Sequence, residues 1–198
     1  MPRTPEQSAL LREKRKEKIL QKALRLFSSL TFDELTIDDI ASACNCSHGL
    51  FYHYYPSKEA VYNALMKDRS EKHPEWEFPT KEVLDLGGYE GLKMAIGYIL
   101  DRLHDSENAV LYLHLDLIRA NCTFRKSEPL LGEEIDKTIL KLVKKAMDDG
   151  DITKGDPVEF SSLIIDAATG AASRRISSGS EHRFKVAELE TILYLLKR

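Results

Sequence analysis

Four polar side chains in the second half of the chain are of the types that a metal site or a cysteine–histidine nucleophile would need. They are His104, His114, Asp116 and Cys122. Their positions follow no recognised metal-ligand spacing, and no pair among them can be assigned as nucleophile and base. They could instead be hydrogen-bonded core groups or polar handles in a pocket. The sequence therefore predicts no catalytic residue, no metal site and no cofactor, and we expect that the chain is not an enzyme.

A second group, Cys44, Cys46 and nearby His48, has the C-x-C spacing that a metal-binding or redox-sensing protein could use. Both cysteines fall at positions expected to face the inside of a helical motif, where free cysteine is a common small core residue. The chain has only three cysteines, which is too few for a disulfide framework. The core interpretation is favoured, and the sensing alternative stays open.

A third group lies between Thr36 and Lys58 and combines polar, aromatic and small residues that packing alone would not select. Imidazole and phenol groups can hydrogen-bond base edges or phosphates, a leucine can contact a thymine methyl group, and a glycine lets the backbone approach DNA. A lysine at a helix start adds positive charge beside backbone amides that favour an anion. The residues that we expect at DNA are Thr36, His48, Gly49, Leu50, Tyr52, His53 and Lys58.

The element that begins this stretch is a short helix. Thr36 and Asp39 form a capping box, so the helix is expected to start at Thr36. Asn45 tolerates the left-handed conformation that a sharp helix exit requires, so the helix is expected to end there.

A second short helix follows at once. Ser47 is a good cap for a helix from His48 to Tyr54, and Pro56 ends it. Two helices joined by a tight turn are typical of a helix-turn-helix, whose second helix lies in the DNA major groove. The residues expected to face inward and hold the two helices at a fixed angle are Ile40, Ala41, Cys44, Cys46, Phe51 and Tyr54.

Length and composition are those of an ordinary globular protein. A chain of 198 residues, 42% hydrophobic and 31% charged, is long enough for one large or two small domains. No stretch approaches the roughly 18 apolar residues that a membrane helix requires, and the N-terminus lacks the apolar segment of a signal peptide. We therefore expect a cytoplasmic protein without a membrane partner.

The net charge of -3 argues against a protein that coats nucleic acid without specificity, but the charge is uneven. Residues 1–58 carry a net charge of +2, which leaves about -5 for the remainder. Residues 1–8 are expected to form a frayed arm, followed by an amphipathic helix from about Leu10 to Leu30. The cations near the start of this helix could lie beside phosphates or could simply be solvated: Arg12, Lys14, Arg15, Lys16 and Lys18.

Helical periodicity without strand-like alternation predicts an all-α fold. We expect a three-helix DNA-binding domain with a linking fourth helix at residues 1–72, and a larger helical ligand-binding and dimerisation domain at 73–198. The boundary lies in an irregular link, because residues 73–88 contain two prolines and a Gly-Gly pair. Residues that could line a small-molecule cavity, although core packing explains each equally well, are Tyr98, Tyr112, His114 and Arg119.

The order and spacing of residues from Ile19 to Leu65 resemble the N-terminal domain of the TetR family of bacterial transcriptional regulators. The matches that carry the resemblance are Leu26, Phe27, Thr36, Ile37, Ile40, Ala41, Ser47, Gly49, Phe51, Tyr52, Tyr54, Tyr55, Ser57, Lys58 and Glu59. The sequence departs from the family pattern at Thr31, Asn45, Cys46 and Leu50. Leu50 removes a hydroxyl that the recognition helix of the family often carries.

The resemblance implies a homodimer built from the last two helices of each subunit and a ligand pocket among the middle helices. A weaker match to the start of the family's dimerisation region covers residues 150–157. Independently, small residues in the helix after Asp156 and an apolar face after Phe184 would suit a four-helix interface. The expected partners are a double-stranded DNA operator, a second copy through helices 157–177 and 185–197, and a small-molecule effector.

The residues and the resemblance together predict a ligand-responsive transcriptional regulator. It would be a repressor that binds a pseudo-palindromic operator as a homodimer and is released by a small molecule. The alternative is a helical interaction module with the same fold that binds a protein partner instead of a specific operator.

Overall fold

The structure is a computed structural model of the chain, and it describes residues 4–30, 32–118, 131–178, 191, 193, 194 and 197. The helices are α1 (Pro5–Phe27), α2 (Ile37–Ala43), α3 (His48–Tyr54), α4 (Lys58–Lys72), α5 (Thr80–Leu86), α6 (Gly88–His104), α7 (Glu107–Ile118), α8 (Leu131–Asp149) and α9 (Pro157–Ser178). A 3-10 turn lies at Pro74–Trp76. Within the described ranges the β-type pairing is a single isolated bridge between Ile152 and Lys197. The predicted all-α fold is confirmed.

The chain packs into two units, Met1–Glu75 and Trp76–Arg198. In the first unit, α1 packs against α2 and α4, and α2 packs against α3. The Phe27 ring stacks on Phe32 at 5.7 Å and meets Tyr62 edge-on at 5.7 Å. Phe51 and Leu65 are also buried, so this small unit is held by an aromatic and aliphatic core.

Helix α1 begins earlier than the sequence pattern predicts. The Gln7 amide donates to the Thr4 hydroxyl, and the Thr4 amide donates to the Gln7 side chain, each at 3.2 Å. Pro5 occupies the first helical position, where its missing N–H is not needed. The expected frayed arm is therefore wrong for residues 5–8, where a capping box starts the helix.

In the second unit, α6 and α8 pack together and α9 packs against α7 and α8. Residues 109–117 of α7 are all buried. Helix α9 begins as predicted, because the Asp156 carboxylate accepts from the Val158 amide at 2.8 Å and Pro157 is the first helical residue. The predicted helix at 185–197 lies largely outside the described residues.

The predicted irregular link at residues 73–88 contains the short helix α5, so the expectation is wrong for Thr80–Leu86. Val83 on this helix is fully buried. A Cβ on Gly91 would lie 2.3 Å from the Val83 carbonyl oxygen and 2.7 Å from the Leu142 Cδ2. Glycine at position 91 therefore lets α5, α6 and α8 approach closely, a long-range effect that a local pattern does not reveal. No helix of the described chain is both long enough and apolar enough to span a bilayer.

Candidate nucleic-acid interface

The first helix of the candidate motif, α2, is started by the predicted capping box. The Thr36 amide donates to the Asp39 carboxylate at 2.9 Å, and the Asp39 amide donates to the Thr36 hydroxyl at 3.2 Å. Hydrogen bonds from the Thr36 side chain and then from its backbone lower the pKa of Asp39. The ionised carboxylate therefore keeps this cap closed at neutral pH.

The turn after α2 has the predicted left-handed residue. Asn45 has φ of 52°, and the Cys46 amide donates to the Ala41 carbonyl at 3.0 Å. Among the described residues Asn45 is the only non-glycine with positive φ, which fits the tolerance of asparagine for this region. Ser47 then caps α3 by accepting from the Leu50 amide at 3.2 Å, as predicted.

The inward side of the motif holds α2 and α3 together. Ile40 and Phe51 are fully buried, and Ala41 and Cys44 are nearly so. Burial raises the pKa of the Cys44 thiol, and the Cys46 thiol adds to the rise. A protonated buried thiol is a poor nucleophile, which supports the core interpretation of Cys44. No group of three or more potential metal ligands occurs in the described parts of the chain.

The outward side of α3 presents four of the predicted residues. His48, Gly49 and His53 are exposed, and Tyr52 is 48% exposed. The missing Cβ of Gly49 faces open space, so nothing inside the protein requires a glycine there. His48 Nε2 lies 3.1 Å from the Asp38 carboxylate, and its ring lies 5.2 Å from that of Tyr52. These polar groups form a surface on the side of α3 that faces away from the core.

Leu50 lies differently from its neighbours on α3, because it is only partly exposed. It contributes to the wall of a cavity of about 180 Å³ between α1 and the helix-turn-helix. The residues that line this cavity are Arg15, Lys18, Ile19, Cys44, Asn45, Cys46, Leu50 and Tyr54. The contact of Leu50 with a base stays a prediction, and the structure shows in addition that Leu50 lies beside α1.

Lys58, at the start of α4, has partners inside the protein. Its ammonium donates to the carbonyl of Phe32 and, at 2.9 Å, to that of Leu35, and it lies 4.4 Å from the centre of the Phe32 ring. These bonds attach α4 to the segment before α2. The predicted phosphate contact of Lys58 stays a prediction, but the side chain also has a positioning role that sequence reasoning missed.

Two of the predicted ligand-binding residues, Tyr98 and Tyr112, lie beside Trp76. The Tyr98 hydroxyl donates to the Trp76 carbonyl at 2.5 Å, and the Tyr112 ring lies 6.0 Å from the indole. Arg102 also donates to that carbonyl and to the Ala109 carbonyl, at 2.5 and 2.7 Å. We call these residues the Trp76 cluster. His114 is buried, and Arg119 lies outside the described residues.

A larger cavity, of about 350 Å³, lies between α7, α8 and α9. It is lined by Leu117, Ile118, Asp136, Lys137, Leu140, Val158, Ser161, Ser162, Ile165, Asp166 and Thr169. Tyr98, Tyr112 and His114 are not part of its wall, so their role in ligand binding stays a prediction. The α9 residues of the wall recur at the spacing of one helix face, a pattern that predicts a helix and contains no signal for a cavity.

Comparison with known proteins identifies the helix-turn-helix. Residues 19–65 match the family described as bacterial regulatory proteins, tetR family. This stretch of the chain is therefore similar to the N-terminal domain of the TetR family. Among TetR-like relatives, the Bacillus subtilis protein YuxN, an uncharacterized HTH-type transcriptional regulator, is 41% identical over 54 residues, which are 27% of this chain and 19% of YuxN.

IcaR of Staphylococcus aureus strain Newman, an HTH-type negative transcriptional regulator of the biofilm operon icaADBC, is 36% identical over 52 residues, which are 26% of this chain and 28% of IcaR. The chain therefore matches less than a third of the length of these curated relatives. TetR-family proteins of this kind are transcriptional regulators and not enzymes. The interaction-module alternative is not favoured.

Two solved structures share the fold along most of the chain. The MbdR regulator of Azoarcus sp. CIB superposes with a TM-score of 0.57 at 19% identity, covering 92% of this chain and 97% of MbdR. A candidate fatty acid metabolism regulator of Clostridium perfringens superposes with a TM-score of 0.52 at 17% identity, covering 90% and 96%. At these identities the likeness concerns the fold alone, and it extends along most of the chain.

Proposed function

We propose that this chain is a ligand-responsive transcriptional repressor that binds a pseudo-palindromic operator as a homodimer. The observation that carries the proposal is the outward surface of α3, where His48, Tyr52 and His53 are exposed on a helix whose other side is locked into the core. A rigid helix with unused polar groups is what base readout in the major groove requires. Thr36 and Gly49 lie at the helix starts, where the backbone can approach phosphates.

The test uses a duplex selected by the purified protein from a random library and fluorescence anisotropy at fixed salt. His53→Ala is expected to weaken binding by at least about fivefold, because a lost base contact costs about 1–3 kcal/mol. His104→Ala is the matched control, since His104 is also exposed but lies on α6. Selection of no preferred duplex, or equal effects of the two variants, would contradict operator reading by α3.

Repression is proposed because IcaR, which is 36% identical over 52 residues, is named a negative regulator. A reporter gene placed behind the selected operator provides the measurement. Expression of the protein is expected to lower reporter output, and His53→Ala is expected to restore it. Higher output with the unmodified protein would instead make it an activator.

The homodimer is proposed to form through helices 157–177 and 185–197. In support, α9 leaves Val158 and Leu163 55% and 49% exposed, although such side chains favour burial. Leu163→Glu is expected to shift the protein from dimer to monomer in light scattering. Leu86→Glu, at a 58% exposed leucine of α5, is the control that should leave the dimer intact. A monomeric unmodified protein would contradict this part of the proposal.

The effector is proposed to bind in the 350 Å³ cavity, whose size and mixed aliphatic and polar lining suit a small molecule. The effector would weaken operator binding only as far as it binds one conformation of the protein more tightly than another. The favoured conformation would be the one that cannot bind the operator. Native mass spectrometry of the purified protein would look for a retained small molecule. Thr169→Leu, which narrows the cavity, should reduce retention while Tyr112→Phe should not; the reverse result would favour the Trp76 cluster as the effector site.

A further inference from the structure

Helix α1 carries three exposed cations on one face. Arg15, Lys18 and Lys22 follow each other at three- and four-residue spacing, which brings their side chains together on the helix surface. All three are exposed. In the part of the chain that the structure describes, none of them forms an ion pair or a side-chain hydrogen bond. We call these three residues the α1 stripe.

Several other charges of the same unit are paired. Glu13 of α1 pairs with Lys16 at 3.0 Å. On α4, Lys67 pairs with Glu71 at 3.6 Å, and Lys72 pairs with Asp68 at 2.7 Å. Glu13 and Glu17 of α1 thus pair with lysines outside the stripe.

The α1 stripe lies beside the helix-turn-helix. Arg15 and Lys18 line the 180 Å³ cavity together with Asn45 of the turn and Leu50 of α3. The positive charges of Lys18 and Lys22 also act on Cys44 at the end of α2, where they oppose the rise in its pKa that burial causes. Both observations place the stripe beside the turn that joins α2 and α3.

We propose that Arg15, Lys18 and Lys22 bind the phosphate backbone of duplex DNA next to the groove that α3 enters. This inference rests on the proposed operator binding and adds residues outside the helix-turn-helix to the interface. The seven-residue span covers about 10 Å along the helix, which corresponds to about three phosphates at 3.4 Å of duplex axis each. Because the chain as a whole is acidic, a local cationic face is needed to attract the duplex.

The competing interpretation is that the α1 stripe is only a solvated helix face. The two interpretations differ in the salt dependence of DNA binding, because each phosphate neutralised by a side chain contributes about 0.9 to the slope of log K against log salt. A solvated face contributes nothing to that slope. Base contacts from α3 also contribute little to the salt slope. A change in the slope therefore reports on phosphate contacts of the α1 stripe.

The experiment compares the full chain with the triple variant Arg15→Gln, Lys18→Gln, Lys22→Gln on the selected duplex between 50 and 200 mM NaCl. The unmodified protein is expected to lose about 40-fold more affinity over this range than the variant, as three phosphate contacts predict. The control is Lys67→Gln, an exposed lysine already paired with Glu71. Its salt slope should match that of the unmodified protein.

An unchanged slope in the triple variant, or an equal reduction in Lys67→Gln, would overturn the assignment of the stripe. Circular dichroism would verify that the triple variant keeps its helices. If the triple variant does not fold, single variants at Lys18 and Lys22 replace it, and each is expected to lower the slope by about 0.9. Absence of any preferred duplex for the unmodified protein would contradict operator binding instead. In that case the slopes measured on a random duplex still decide whether the stripe binds phosphate.

Discussion

The two units of this protein use their polar residues in opposite ways. In the first unit, His53 and Tyr52 of α3 and the α1 stripe are exposed, and the core beneath them does not need their polar groups. In the second unit, the polar groups of Tyr98 and Arg102 are directed at the backbone of the protein itself. The comparison teaches that exposed polar groups without an internal role are better candidates for binding than polar groups that hold the fold together.

The largest expected effect of a single change is on the Trp76 cluster. Arg102 is 3% exposed and donates to the carbonyls of Trp76 and Ala109. Arg102→Ala removes those donors from a buried site, and we expect a loss of about 3–5 kcal/mol in the free energy of unfolding. Urea denaturation measures it, with exposed Lys144→Ala as control. A loss below about 1 kcal/mol would mean that the cluster is dispensable for the fold, and it would then be the better candidate for a ligand site.

The next effect concerns packing in the same unit. Gly91→Ala would place a methyl group against the Val83 carbonyl and the Leu142 side chain, so we expect a destabilisation of about 1–3 kcal/mol. Gly97→Ala is the matched control on the same helix, because its Cβ would meet nothing within 4 Å. It should stabilise α6 by up to about 1 kcal/mol. Thermal unfolding of the two variants compares them, and shifts of the same sign would contradict the close approach of α5 to α6.

In the first unit the corresponding test is at the turn. Asn45 has φ of 52°, a conformation that costs a β-branched residue about 1–2 kcal/mol. Asn45→Val should therefore lower both stability and operator affinity, while Asn45→Gly should keep both. Chemical denaturation together with anisotropy on the selected duplex provides the measurement. Equal tolerance of valine and glycine would show that the angle between α2 and α3 does not depend on this residue.

The smallest effect on stability, and the sharpest contrast with Gly91, is expected at Gly49. A Cβ there would meet nothing, so Gly49→Ala should stabilise α3 by less than about 1 kcal/mol. Operator affinity should nevertheless fall, because the added methyl group faces the expected DNA surface. Parallel melting and anisotropy measurements would separate the two effects. Unchanged affinity would place Gly49 outside the interface and weaken the comparison between the two units.

The sequence predicted best those features that depend on residues three or four positions apart. The capping box of Thr36 and Asp39 and the cap at Ser47 formed as expected, because a cap is made within one helical turn. The same kind of signal at Thr4 and Gln7 was available, and it was missed because two prolines suggested an unstructured arm. The helical link at Thr80–Leu86 was missed for a similar reason, since prolines and glycines flank it on both sides.

The candidate site was predicted in part. The sequence singled out His48, Tyr52 and His53, and the structure leaves all three exposed on α3. It did not predict that Lys58 bonds to the carbonyls of Phe32 and Leu35, because these partners lie 26 and 23 residues away in the chain. Such a contact depends on how α4 packs against the segment before α2, and helical periodicity contains no information about it.

The sequence by itself determined the helical character of the chain, the helix-turn-helix with its caps and its left-handed turn, and the likeness to TetR-family regulators. Only the tertiary structure decided that Leu50 lies beside α1, that Tyr98 serves the Trp76 cluster, and that the larger cavity is built from α7, α8 and α9. The physical reason is the range of the interactions. Caps and turns are set by neighbours in the chain, whereas burial, cavities and the pairing of charges are set by helices that meet only after packing.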